Sequence, residues 1–164
     1  MKSRYRFVTD ANILFDADKG GILHEMFQLP IFFITSDFVA SRELKNPPLS
    51  SFEQEGIHIE ELSQNEIRML DEIKSLNKNL SINDISVFIL AKKRGITLLT
   101  GDDALKTYAE SSGVQVHGIL WILDELVRNE IISKRDASNA LRRMLDHGCR
   151  LPQKECDDRF SCWE

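Results

Sequence analysis

No stretch of this chain approaches the roughly 18 consecutive apolar residues that a membrane-spanning helix needs, although 42% of its 164 residues are hydrophobic. Basic residues are in short supply too. Twenty-one Lys and Arg stand against 26 Asp and Glu, a net charge of −5, which argues against a general basic coat for nucleic acid. Nucleic acid itself is not excluded, because a bound cation and a local basic strip can carry phosphate contacts. Cysteine is confined to Cys149, Cys156 and Cys162, and an odd number without a CxxC pair makes no disulfide framework. With His147 these thiols supply the ligand types of a zinc knuckle, but their spacing fits no familiar zinc ribbon, and reduced thiols are the expectation. The basic segment 1–10 has neither a sustained apolar run nor a small-residue cleavage site. It therefore does not read as a signal peptide, and a soluble cytoplasmic protein is expected. GxGxxG, P-loop and nucleophile-elbow patterns are missing, and His24, His58, His117 and His147 show no metal or triad spacing.

What is present is an alternation of short apolar strands with helical patterns. Residues 5–9, 30–35, 96–100 and 114–116 read as strands, the second almost wholly apolar, as a strand covered on both faces would be. Residues 56–62 alternate at period two and read as a short edge strand. Helices are predicted over 12–28 with a break at Gly20-Gly21, over 36–44 up to Pro47-Pro48, and over 63–76 from the capping box Ser63-Gln64-Asn65-Glu66. Another opens at Ser81 and is apolar nearly all round, so it belongs in the interior. Lys92-Lys93-Arg94-Gly95 closes it with cations on the last turn, read as a solvated helix end. Helices over 103–112, 118–130 and 134–147 complete the pattern. The implied architecture is a three-layer α/β/α sandwich around a mostly parallel sheet. It forms one domain over residues 1–147, followed by a tail, 148–164, without an assigned role.

Four acids fall where these patterns change. Asp10 follows strand 5–9, Asp102 follows strand 96–100, Asp84 opens the apolar helix and Glu43 closes the helix over 36–44. In a parallel sheet, ligands bind outside the carboxyl ends of the strands, so these carboxylates are expected to converge there. With no Lys or Arg at the same turns they repel one another unless a hard cation joins them. Each acid also has an ordinary local explanation. Asp is a leading N-cap residue at positions such as 10 and 102, Asp84 completes a capping box with Ser81, and Glu43 suits a solvated helix end. Capping accounts for each acid separately but not for all four lying at one sheet edge.

The motifs resemble the PIN-domain (PilT N-terminus) ribonuclease family in its prokaryotic, VapC-like form. Val8-Thr9-Asp10-Ala11-Asn12 is similar to its first motif and Ser41-Arg42-Glu43-Leu44 to its second. Asn83-Asp84-Ile85 is similar to the third, and Leu98-Leu99-Thr100-Gly101-Asp102 to the fourth. Val116-His117-Gly118-Ile119 looks like the Gly-containing stretch after the last strand. The resemblance spans roughly residues 5–147. Two positions depart from it: Ile85 stands where a small residue often follows the third acid, and Asp103 adds a fifth carboxylate. Residues 148–164 have no counterpart in it.

The resemblance implies a Mg²⁺- or Mn²⁺-dependent endoribonuclease, the toxin of a toxin–antitoxin pair, acting on RNA as a homodimer and restrained by a small antitoxin. The implied metal ligands are Asp10, Asp84 and Asp102, with Glu43 orienting the attacking water or completing a second metal site. Asn12, Thr100 and Asp103 would support them by hydrogen bonds. The alternatives are a non-catalytic PIN-like domain binding RNA or protein, and a housekeeping RNA-processing nuclease. A receiver-like signalling domain fits poorly, because it wants paired acids ending strand one and a Lys ending a late strand. Arg42 and Lys45 are candidate phosphate contacts. Trp121 and its apolar neighbours Ile119, Leu120, Ile122, Leu123 and Leu126 read as core or dimer surface.

Overall fold

A computed structural model of the chain describes residues 5–164, so the basic residues 1–4 and the leader reading that rests on them lie outside the described part. In chain order the elements are β1 (Tyr5–Thr9), α1 (Ala11–Lys19), α2 (Leu23–Met26), β2 (Ile31–Ser36), α3 (Asp37–Arg42), α4 (Leu49–Glu55), β3 (His58–Glu60) and α5 (Gln64–Leu76). There follow α6 (Ile82–Arg94), β4 (Thr97–Leu99), α7 (Asp103–Ser111), β5 (Val116–His117), α8 (Ile119–Arg128), α9 (Lys134–Asp146) and α10 (Gln153–Trp163). Among the described residues no helix is long and apolar enough to cross a membrane.

The strands form one parallel sheet in the order β3-β2-β1-β4-β5. Helices α1, α8, α9 and α10 pack together, and α3, α5, α6 and α7 form a second group around α6, so the expected α/β/α sandwich is the one observed. Strand order reverses at β1, whose neighbours are β2 on one side and β4 on the other. Such a reversal opens a crevice at the carboxyl ends of the two central strands. Phe7, Val8, Phe33, Ile34, Leu98 and Leu99 are all buried, which is why these strands read as continuous apolar runs rather than alternating ones.

Helix α6 is the keystone of its layer. Every residue from Ile85 to Ala91 is buried, and the helix contacts β1, β2 and β4. Burying each large aliphatic or aromatic side chain there contributes roughly 1.5–3 kcal/mol. Because α6 leads through Gly95 (φ 64°) directly into β4, it runs antiparallel to the strands. Its first turn, with Asp84, therefore lies at the carboxyl edge.

Four features differ from the sequence reading. Residues 49–55 form α4, whose one buried side chain, Phe52, packs edge-on against Phe15 at 6.2 Å; a single anchor in seven residues leaves no periodicity to detect. The last strand lies later than 114–116. Val114 is still tied to Ala109 O, and Gln115 O and His117 O take the hydrogen bonds from Leu98 and Thr100. Arg94 is not a solvated helix end, because it pairs with Glu60 at 2.9 Å and Glu66 at 2.7 Å. Residues 153–163 form α10, docked on α9 through buried Cys156 and Trp163. With two buried residues seven apart, α10 is held as much by polar clamps: Arg159 grips Asp124 with two bonds, and Glu164 accepts from Ser138 and Arg142.

Candidate active site

The end of β1 is stitched to β4 by the Asp10 N–H, which donates to Leu99 O at 3.0 Å. The Asp10 side chain then uses both oxygens. Oδ1 accepts the Ile13 N–H at 3.0 Å, capping α1, and Oδ2 accepts the Thr100 hydroxyl at 2.5 Å. That hydroxyl in turn accepts the Asp102 N–H at 3.1 Å, and Asp102 Oδ1 caps α7 through the Leu105 N–H at 2.8 Å. Thr100 thus bridges the two acids across the central crevice. Asp84 and Ser81 form the reciprocal capping box, at 3.0 and 3.2 Å. Glu43, the C-cap of α3, is half-buried, with Asn83 favouring its charged form. Capping of Asp10, Asp84 and Asp102 is therefore real, and it fixes where those acids stand at the sheet edge.

Electrostatics ties the four acids together. Burial, opposed by the Thr100 and Ile13 bonds and reinforced by the negative charges of Asp84 and Glu43, raises the Asp10 carboxyl to about 7. Glu43 is raised first by burial and further by Asp84, against the opposing effect of Asn83. Asp84 is raised by burial and further by Asp102, against its Ser81 bonds and the charge of Lys74. Asp84 bears on both Asp10 and Glu43 and is itself raised by Asp102, and Glu43 also acts directly on Asp10. The nearby cation does not dissolve the problem, because the Lys74 ammonium is spent on the carbonyls of Leu80 and Lys78 at 2.7 and 3.2 Å.

Among the described residues no three His, Cys, Asp or Glu side chains stand close enough to form a metal cage, and Cys149, Cys156 and Cys162 make no disulfide. The acid edge nevertheless suits a hydrated hard cation. Its donors are carboxylate and hydroxyl oxygens, it carries excess negative charge, and Mg²⁺ needs only one or two direct carboxylates with waters for the rest. Thr100 is buried against Asp10. Asn12 and Asp103 are exposed and line the same groove as Thr100 and Asp102, but make no side-chain bond to any of the four acids. Arg42 lies over the Phe38 ring at 5.1 Å.

Sequence reasoning missed Asn83, which the apolar pattern of α6 swallowed as one more first-turn residue, although its Oδ1 is buried without a partner. The stretch read as core or dimer surface divides at Trp121. Ile119, Leu120, Ile122, Leu123 and Leu126 are spent in the core, whereas Trp121 is half-buried and stacked on His117 in the groove. No periodicity distinguishes that one position from its neighbours.

The family model DUF3368, described as a PIN domain, matches residues 6–164. Among solved structures, a PilT N-terminus domain protein from the hyperthermophilic archaeon Sulfolobus solfataricus is similar in fold. It has a TM-score of 0.51 and 14% identity, over 74% of this chain and 93% of that one. A search of the curated proteins finds no match.

Proposed function

This chain belongs to the PIN-domain family, a nuclease fold whose members generally use divalent metal ions, and from that premise we propose that it is a Mg²⁺- or Mn²⁺-dependent endoribonuclease serving as the toxin of a toxin–antitoxin pair. The observation that carries the reading is the coupled, cation-poor set of Asp10, Glu43, Asp84 and Asp102 at the switch point of the sheet. Asp10, Asp84 and Asp102 are the residues to hold the cation. A divalent ion there supplies positive charge against the phosphodiester and acidifies an attacking water. The protein's own part is orientation and proton handling. Thr100 fixes the Asp10 carboxylate through Oδ2 and Asp102 through its N–H. The Glu43 carboxyl, whose pKa burial raises, would orient that water and take its proton. Asn12 and Asp103 complete the polar rim. A small antitoxin with a basic segment would complement the acidic edge, and a homodimer is the assembly we expect.

The direct test is cleavage of single-stranded RNA with magnesium by wild type, Asp10→Asn and Asp102→Asn. Activity that survives both substitutions, or needs no divalent ion, rejects the site. Growth arrest on expression, relieved by Asp10→Asn, tests the toxin role against a housekeeping nuclease.

One observation favours a second reading, a PIN-like binding domain without turnover. Three of the four acids are occupied as helix caps, and no metal cage is formed among the described residues. Stoichiometric RNA binding with no cleavage in either magnesium or manganese would select it.

A further inference from the structure

A groove of about 1070 Å³ starts at Asp102, the one acid of the four that lines it, and at Thr100, and continues to His117, Trp121 and the segment Gly148–Pro152. The His117 and Trp121 rings lie parallel, 4.3 Å apart at an interplanar angle of 2°, and Trp121 is braced from the core by Phe7 at 5.3 Å. Burial lowers the His117 imidazole from its ordinary value, so at neutral pH it offers a neutral flat ring. Three cations on the groove wall, Lys19, Lys106 and Arg150, are exposed and form no salt bridge among the described residues. Arg159 also lines the groove but is committed to Asp124.

Arg150 is carried on an anchored segment. The Cys149 N–H donates to Met144 O at 3.0 Å, the Cys149 thiol donates to Asp16 at 3.1 Å, and α10 clamps the chain beyond. The cradle is therefore preformed rather than gathered by a ligand, which lowers the ordering cost of binding. Its charges are balanced, since Asp16, Asp102, Asp103 and Glu155 line it as well. A purely electrostatic hold on nucleic acid is thus ruled out, and stacking has to contribute.

We propose that this groove is the subsite for single-stranded RNA beside the scissile bond, with the His117–Trp121 pair stacking one unpaired base and Lys106 and Arg150 each contacting a flanking phosphate. The C-terminal segment is then a wall of the substrate site. The inference rests on the nuclease reading for the position of the scissile bond. An unpaired strand fits because a stacked pair of rings can receive only a base that is free of its own partner.

The test is fluorescence anisotropy of a short labelled single-stranded RNA in EDTA, where metal-dependent turnover is stopped. Cleavage in magnesium is followed separately. His117→Ala is expected to weaken binding roughly 5-fold or more, and His117→Phe to restore it by keeping the stack. Lys106→Ala and Arg150→Ala should each lower the salt slope by about 0.7, and the same sequence as duplex should bind more weakly. Trp121 is left intact because it braces against Phe7. Binding that all three alanine variants leave unchanged overturns the subsite, and does so without touching the nuclease reading if wild type still cleaves. Loss of binding as described in a protein that never cleaves upholds the subsite and removes turnover. Equal binding of an acidic peptide, with no dependence on His117, overturns the proposal in favour of a protein partner.

Discussion

Carboxylates occur in two contrasting settings on this sheet. At the β3 side, Glu60 bonds to Arg6 at 3.0 Å and to Arg94 at 2.9 Å, Arg94 also bonds to Glu66 at 2.7 Å, and the Glu66 carboxyl is held below its ordinary value by its Ser63 and Arg94 contacts. At the central crevice, Asp10, Glu43 and Asp84 have no ion-pair partner, the charge of Lys74 offsets only part of the rise at Asp84, and all three are raised. The first set ties β1, β3, α5 and α6 together and needs nothing further. The second gathers desolvated, mutually repelling carboxyls, a cost that the proposed cation would relieve. The same side chains therefore support folding at one edge and prepare binding at the other, and the difference lies wholly in which partners the tertiary structure supplies.

The contrast breaks first in activity. Asp84→Asn is expected to reduce RNA cleavage on the order of 10²–10³-fold, the usual loss when a charge-stabilising group leaves a reaction centre. Glu66→Gln should leave turnover per folded molecule intact and lower stability instead. Single-turnover cleavage alongside thermal melts of both variants reads the two effects, and equal loss of activity would erase the distinction.

Protonation gives the next effect. The Asp10 carboxyl titrates near 3.8 when unfolded and about 7 when folded, so the folded chain retains a proton across that interval. The associated stability is complete below about pH 4 and is lost as pH rises through about 7, an upper bound on the order of 4 kcal/mol. Metal-free wild type should melt progressively lower from pH 4 to 8, and magnesium should recover part of the loss at pH 8. Asp10→Asn should flatten both dependences; a profile unchanged by this substitution would count against buried charge at Asp10.

At the other edge, Arg94→Ala strands Glu66, one of the more buried carboxylates. Chemical denaturation should show a loss of about 1–3 kcal/mol, with RNA cleavage by the folded fraction retained. The smallest effect concerns the thiols. Burial and the Asp16 carboxylate push the Cys149 thiol up to about 12, so a thiol reagent at pH 8 should modify the exposed Cys162 first. Rapid labelling of Cys149 would show that the groove wall opens.

Legibility followed burial pattern. Strands β1, β2 and β4 were visible because both faces are covered and the runs are apolar throughout; α5 and α6 announced themselves by capping boxes at Ser63 and Ser81. Helices α4 and α10 were invisible because one and two buried residues give no period, and their stability comes from distant contacts such as Phe15 and Asp124. The order of the acids was readable, as was the capping role that competes with their chemistry. The Thr100 bridge was readable only as a hydroxyl near two acids. Asn83 beside Glu43, and Trp121 against His117, join residues some 40 and 4 positions apart by geometry that no local pattern encodes.

By itself the sequence determined the alternation of strands and helices and placed an acid at each critical turn, because burial periodicity and capping chemistry act over a few residues. Only the tertiary structure decided that strand order reverses at β1, so that Asp10, Thr100 and Asp102 meet in one crevice. It alone left those carboxylates without cations while giving Glu60 and Glu66 theirs. Charge and desolvation depend on what lies within a few ångströms in space, and the four acids of this site come from four separate turns of the chain.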